Sequence, residues 1–142
     1  MSAADSINGG AGTDTFKHYL AAAATSVTNP TMTSIENLYI NGGGAVTADL
    51  STVAATSIEI DNLGGAAAYT LKGAQTLTVS NNNGATIRNV TAIYGATDTS
   101  ATIALNGVGK STGAATVDVQ GAALATLNLT NTGAAGYVTV TN

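Results

Sequence analysis

From Leu38 onward the chain repeats one short phrase, apolar-x-apolar-x followed by Asn or Gly. It reads Leu38-Tyr39-Ile40-Asn41-Gly42, Ile58-Glu59-Ile60-Asp61-Asn62, Tyr69-Thr70-Leu71-Lys72-Gly73 and Leu77-Thr78-Val79-Ser80-Asn81. It returns as Ile103-Ala104-Leu105-Asn106-Gly107, Val117-Asp118-Val119-Gln120-Gly121, Leu127-Asn128-Leu129-Thr130-Asn131 and Val138-Thr139-Val140-Thr141-Asn142. Ala48-Asp49-Leu50 and Ile87-Arg88-Asn89 are weaker copies. Alternation inside each phrase puts successive side chains on opposite faces, which predicts short strands. The longer spacing between phrases, roughly ten residues, is a repeat signal.

Regular short strands suit either an antiparallel sandwich or a parallel solenoid. Two features of this stretch favour the solenoid. The inward positions are drawn from Ile, Leu and Val, as expected where like stacks on like about 4.8 Å away. Asn and Gly recur after the strands (Asn41, Asn62, Asn81, Asn106, Asn131), where both accept left-handed turns and amides can form ladders. The predicted fold is therefore all-β, a parallel β-solenoid of the β-roll or β-helix kind with two short strands per coil of about twenty residues. Gly107-Val108-Gly109-Lys110-Ser111-Thr112-Gly113 interrupts the spacing and is expected to bulge as a loop.

The start of the chain carries the chemistry. Gly9-Gly10-Ala11-Gly12-Thr13-Asp14-Thr15-Phe16-Lys17 fits G-G-x-G-x-D-x-U-x, the nonapeptide of a calcium-binding β-roll. Asp5-Ser6-Ile7-Asn8 reads as the tail of a preceding copy, in phase with Asp14 and Phe16. A glycine-rich turn with an incidental aspartate would not keep that phase. Glycines permit a tight turn with inward carbonyls, and calcium takes hard oxygens from carbonyls and carboxylates together. This period of nine continues into the later period near ten, a third reason to favour the solenoid. The candidate metal ligands are Asp14 and Asp5 by side chain, with the carbonyls of Gly9, Gly10, Ala11 and Gly12. Asp5 and Asp14 are expected on opposite edges of the roll, each needing a ligand from a neighbouring coil.

These residues resemble the RTX (repeats-in-toxin) proteins that Gram-negative bacteria export by type I secretion. The phrase Thr33-Ser34-Ile35-Glu36-Asn37-Leu38, followed by a run rich in Thr, Ala, Gly and Asn, is similar to the RTX-bearing surface-layer proteins and large surface adhesins. The resemblance implies a secreted, cell-surface structural segment that folds on meeting calcium outside the cell. It implies self-association, end to end or in a lattice, and a cell-surface polysaccharide as a further partner. The stalk of a large RTX adhesin, binding a surface, ice or a glycan, is the alternative.

Composition agrees with a thin repetitive stack. Only 8% of the 142 residues are charged and 4% aromatic, too little charge for a solvated disordered chain and too few large side chains for a thick core. A net charge of −4, with the basic residues scattered at Lys17, Lys72, Arg88 and Lys110, leaves no footprint for nucleic acid. No apolar run approaches the ~18 residues of a membrane span, so no membrane insertion is expected. There are no cysteines, hence no disulfide framework. The first residues lack the basic and apolar regions of a secretory signal, and Met1 stands directly before a half-repeat, so the chain reads as an excised segment. Residues 1–17 form the calcium roll, 18–37 a connecting strand and loop, and 38–142 the solenoid proper.

Enzyme chemistry is not expected. His18 lacks an identifiable partner and is expected on the surface; Glu36 reads as a turn or strand-edge contact. Asp49, Glu59 and Asp118 fall on outward positions, and a lone Arg88 is a poor basis for a polysaccharide-cleaving cleft. Gly107–Thr112 lacks the full phosphate-loop frame, because position 104 is alanine. The threonine pairs Thr76/Thr78 and Thr139/Thr141 invite comparison with ice-binding arrays, yet threonine is also simply a good polar strand residue.

Overall fold

A computed structural model describes residues 2–132 and the strand backbone of 138–141. Thirteen strands follow in order: β1 (Ser6–Asn8), β2 (Thr15–Leu20), β3 (Thr31–Thr33), β4 (Asn37–Gly42), β5 (Thr47–Asp49), β6 (Ser57–Asp61) and β7 (Ala67–Leu71). They continue as β8 (Thr76–Asn82), β9 (Val90–Tyr94), β10 (Ser100–Val108), β11 (Ala115–Gln120), β12 (Thr126–Thr132) and β13 (Val138–Thr141). The described residues contain no helix, and the chain winds as a parallel β-solenoid of about 6 turns at about 23 residues per turn. The solenoid reading of the sequence is therefore correct.

Even-numbered strands form one six-stranded sheet, β12-β10-β8-β6-β4-β2, and β13-β11-β9-β7-β5 form a second. A short pair, β1-β3, opens a third side. Later coils close that side with one tight turn each: Val53 N–H bonds Leu50 O at 3.2 Å, Gln75 N–H bonds Lys72 O at 2.8 Å, and Asp98 N–H bonds Gly95 O at 3.1 Å.

Like does stack on like in the six-stranded sheet. One inward column runs Phe16, Leu38, Ile58, Leu77, Ile103, Leu129. The next runs His18, Ile40, Ile60, Val79, Leu105, Asn131. The middle members of both are fully buried, each contributing about 1.5–3 kcal/mol by leaving water. The five-stranded sheet solves its packing differently. Tyr69 is fully buried between Ala48 and Ala92 of the flanking coils, a large side chain between two small ones filling the same depth.

Some expectations need correction. His18 does not lie on the surface: it faces inward in register with Ile40, its ring 5.9 Å from that of Phe16. Strand alternation from Phe16 to Leu20 carries it there. Ile87-Arg88-Asn89 is not a strand. The strand is β9 just after it, and the loop before β9 is tied by Asn82, whose Nδ2 donates to Arg88 O at 2.6 Å and whose Oδ1 accepts Arg88 N–H at 3.0 Å. Of the loop expected at Gly107–Gly113, Gly107 and Val108 end β10 and only 109–113 leave the strand, closed by paired 3.0 Å bonds between Lys110 and Gly113 and anchored by Lys110 Nζ on Gly84 O at 2.7 Å.

The left-handed positions read in the sequence hold at Asn62 and Asn81 but not at Asn41, Asn106 or Asn131. The column consists of Gly42 (φ 81°), Asn62 (φ 52°), Asn81 (φ 52°) and Gly107 (φ 65°). Asn41 and Asn106 each stand one residue earlier, and Asn131 pairs with Leu105. Asn142 lies outside the described residues.

Candidate functional site

The glycine-rich turn sits between β1 and β2. Gly10 (φ 87°) and Gly12 (φ 122°) hold left-handed conformations that a side chain would strain. Gly9 passes so close to the next coil that a Cβ there would fall 2.0 Å from Ser34 O and 2.7 Å from the Asp14 Cβ. Its N–H donates to Thr33 O at 3.0 Å. Glycines at these places are therefore required by the backbone, whatever binds beside them.

Asp14 ends this turn and is half-buried. Its Oδ2 is buried without a hydrogen-bond partner. Its backbone N–H donates to Glu36 Oε2 at 2.9 Å, and its carbonyl accepts the Asn37 N–H at 3.0 Å. Because Thr15 pairs with Asn37, Asp14 and Glu36 occupy the same corner on successive coils. The likeness stops at that corner. Thr15-Phe16 and Asn37-Leu38 lie in register, but the turns before them differ in length, and Ser34 (φ 50°) lies against Gly9. The two coils thus share a carboxylate corner, with glutamate in place of aspartate, a relation its spacing of 22 residues hides from a search for period nine.

The corner continues as Thr56 and then Gln75, tied by Thr56 N–H to Glu36 O at 3.1 Å and Thr76 N–H to Thr56 O at 2.8 Å. Gln75 is fully buried. Its Nε2 donates to Leu50 O at 2.9 Å and Ala55 O at 3.1 Å, and its Oε1 accepts the Lys72 N–H at 2.9 Å. Two acidic rungs thus give way to a neutral amide that ties two coils together.

Asp5 stands at the other end of β1, exposed, with Oδ2 accepting the Ser2 N–H at 2.7 Å. The structure does not bring it to Asp14. The carboxylate that does meet Asp14 is Glu36, placed there by coil register alone. Among the described residues no three His, Cys, Asp or Glu side chains gather as a metal-binding group. The donors at the corner are nonetheless all hard oxygens, with one buried carboxylate oxygen unpaired, a chemistry suited to calcium.

The other acidic residues are engaged on outward faces. Asp49 Oδ1 accepts the Ser51 N–H at 3.0 Å, and Glu59 Oε1 accepts the Ser80 hydroxyl at 2.7 Å. Gln120 Nε2 donates to the Asp118 carboxylate. Asp61 is the most heavily bonded: Oδ2 accepts the Tyr39 hydroxyl and Asn41 Nδ2 (2.9 Å), and Oδ1 accepts Asn81 Nδ2 at 2.7 Å. Burial pushes its carboxyl up, but the bonds from Tyr39, Asn81 and Asn41 outweigh that and hold it below the usual carboxylate range. The amide ladder inferred from sequence is therefore a mixed amide–carboxylate ladder on the sheet's outer face. The threonine pairs do not share a face, since Thr76 and Thr78 lie in β8 and Thr139 and Thr141 in β13 of the other sheet.

Comparison with protein-family models, curated proteins and solved structures gives no match to this chain.

Proposed function

We propose that the chain is a structural segment of a secreted, RTX-type bacterial surface-layer protein. In this reading it is a calcium-stabilised solenoid that acts as spacer and lattice element and carries out no catalysis. One observation carries it: two carboxylates, Asp14 and Glu36, fall on one corner of successive coils beside a left-handed glycine turn, with Asp14 Oδ2 buried and unpartnered. An uncompensated buried carboxylate oxygen is costly, so a cation there would relieve a cost that the fold otherwise retains.

Asp14 and Glu36 would hold the ion, with carbonyls of Gly9, Gly10, Ala11 and Gly12 as further donors. Asp5 would belong to a separate half-site. Bound calcium supplies positive charge and a tie between coils, which makes metal affinity part of the folding free energy. Folding would then follow delivery to a calcium-rich exterior. Coils that pair by parallel main-chain hydrogen bonds can add further copies wherever a coil edge is free, which is the contact a lattice element requires.

Thermal unfolding followed by circular dichroism, in calcium and in a chelator, tests the metal. A ligand at about a hundred times its Kd adds about 2.7 kcal/mol, so the midpoint should rise by several degrees in calcium. Asp14→Asn should remove most of that rise. Identical melts in calcium and chelator would overturn the reading. Electron microscopy in both conditions tests assembly, and strictly monomeric particles in each would count against a lattice role.

A further inference from the structure

We propose that the outer face of the six-stranded sheet, from β2 to β6, is a binding platform for a neutral polysaccharide. The described residues place their two outward tyrosines here and nowhere else: Tyr19, 67% exposed, and Tyr39 on the adjacent rung. Their ring centroids are 5.9 Å apart at 59°. Tyr39 is held still. Its hydroxyl donates to Asp61 and accepts Asn41 Nδ2 at 3.1 Å, while Lys17 Nζ lies 5.7 Å from its ring centre. A side chain fixed in advance loses little freedom when a ligand arrives. Tyr19, by contrast, offers its ring to solvent.

Beside the tyrosines lies a cleft of about 300 Å³, within the range of small-ligand sites, lined by Thr15, Lys17, Asn37, Tyr39, Ser57 and Glu59. It presents hydroxyls, an amide, a cation and an anion within three rungs. That assortment suits a ligand whose groups both donate and accept hydrogen bonds and which also has a flat apolar side. A pyranose ring is such a ligand: its C–H face stacks on an aromatic ring, and its hydroxyls take donors and acceptors of either kind. The rungs repeat about every 4.8 Å, close to the rise of one sugar residue in an extended chain, so a polymer can be read rung by rung. Other partners fit less well. Nucleic acid needs net positive charge, and Lys17 is opposed by Glu59 and Asp61. A protein interface has a dehydrated apolar centre, and this face has none.

The proposal does not depend on calcium or on lattice assembly. Native gel electrophoresis through soluble dextran, laminarin, glucomannan or xylan tests it, comparing the unsubstituted chain with Tyr19→Ala, Tyr19→Phe and, on the opposite sheet, Thr70→Ala. At least one polysaccharide should retard the protein. Tyr19→Ala should weaken the apparent affinity about tenfold or more, while Tyr19→Phe and Thr70→Ala stay within about twofold of the original. Because Tyr19 is largely exposed, its replacement should leave the circular dichroism spectrum unchanged. Absence of retardation by all four polymers overturns the proposal, as does retardation that survives Tyr19→Ala. So does self-association without polysaccharide that Tyr19→Ala abolishes, since the face would then be a contact between copies.

Discussion

Glu36 accepts the backbone N–H of Asp14 at 2.9 Å, and the two carboxyl-bearing residues stand on one corner of consecutive coils. A hydrogen bond to a charged acceptor contributes about 1.5–3 kcal/mol when dry, less at this half-buried corner. Glu36→Ala should lower the urea midpoint in chelator through loss of that bond. Glu36→Gln keeps an acceptor, so it should resemble the original in chelator and differ from it only in calcium. Parallel denaturant melts under both conditions check the pair.

Gln75 bonds four main-chain groups at the third side of the stack. Gln75→Leu keeps bulk and removes both polar ends, taking the side-chain partner from the Lys72 N–H and the Ala55 carbonyl, while Leu50 O keeps the Val53 N–H. Each such loss costs about 1–3 kcal/mol, so a total of about 3 kcal/mol is expected in urea unfolding. Lys72→Ala, at the same turn, removes a single bond from Nζ to Val53 O and should cost less.

Tyr69 is fully buried and its hydroxyl has no hydrogen-bond partner. Burial alone pushes the phenol far above its usual value. Tyr69→Phe removes an unsatisfied polar atom without opening space between Ala48 and Ala92. Stability should stay level or rise by about 1 kcal/mol, whereas Tyr69→Ala should lose about 3–5 kcal/mol. Thermal melts of both substitutions separate the ring's contribution from the hydroxyl's.

Asp61 titrates below its ordinary value of 3.8 because hydrogen bonds to its charged form outweigh burial. The unfolded chain takes up this proton first as pH falls, so the contribution of Asp61 is complete above the unfolded pKa and is lost as pH drops through the folded one. Asp61→Asn should flatten the dependence of the urea midpoint on pH below about 4. A slope unchanged by the substitution would mean that the ladder does not bias this proton.

His18 behaves in the same sense at higher pH. Burial lowers its pKa from 6.5, because the inward ring disfavours the charged form. The unfolded chain again binds the proton more tightly. Stability should therefore be full above the unfolded pKa and decline as pH falls toward the lowered folded value, then level off. Histidine resonances titrated by NMR give the folded pKa directly, and His18→Leu should abolish this part of the pH dependence.

Much of this architecture is legible in the residues themselves. Alternation within phrases such as Ile58-Glu59-Ile60 states which side chains turn inward, and a narrow Ile/Leu/Val set at those places indicates parallel stacking on copies. The glycines of the first turn, with φ of 87° and 122°, sit where the nonapeptide requires left-handed backbone. Local chemistry determines these features, since each depends on a few neighbouring residues. Which rung meets which depends on loop length and coil closure, and no local pattern carries that. Hence only the tertiary structure decided that Glu36, rather than Asp5, joins Asp14, and that Asn131 rather than a leucine follows Leu105. It also decided that His18 faces the interior and that Gln75 disappears beneath the surface. Parallel stacking pairs residues a full turn apart, and loops of unequal length absorb the difference between turns, so spacing along the chain does not name the partner.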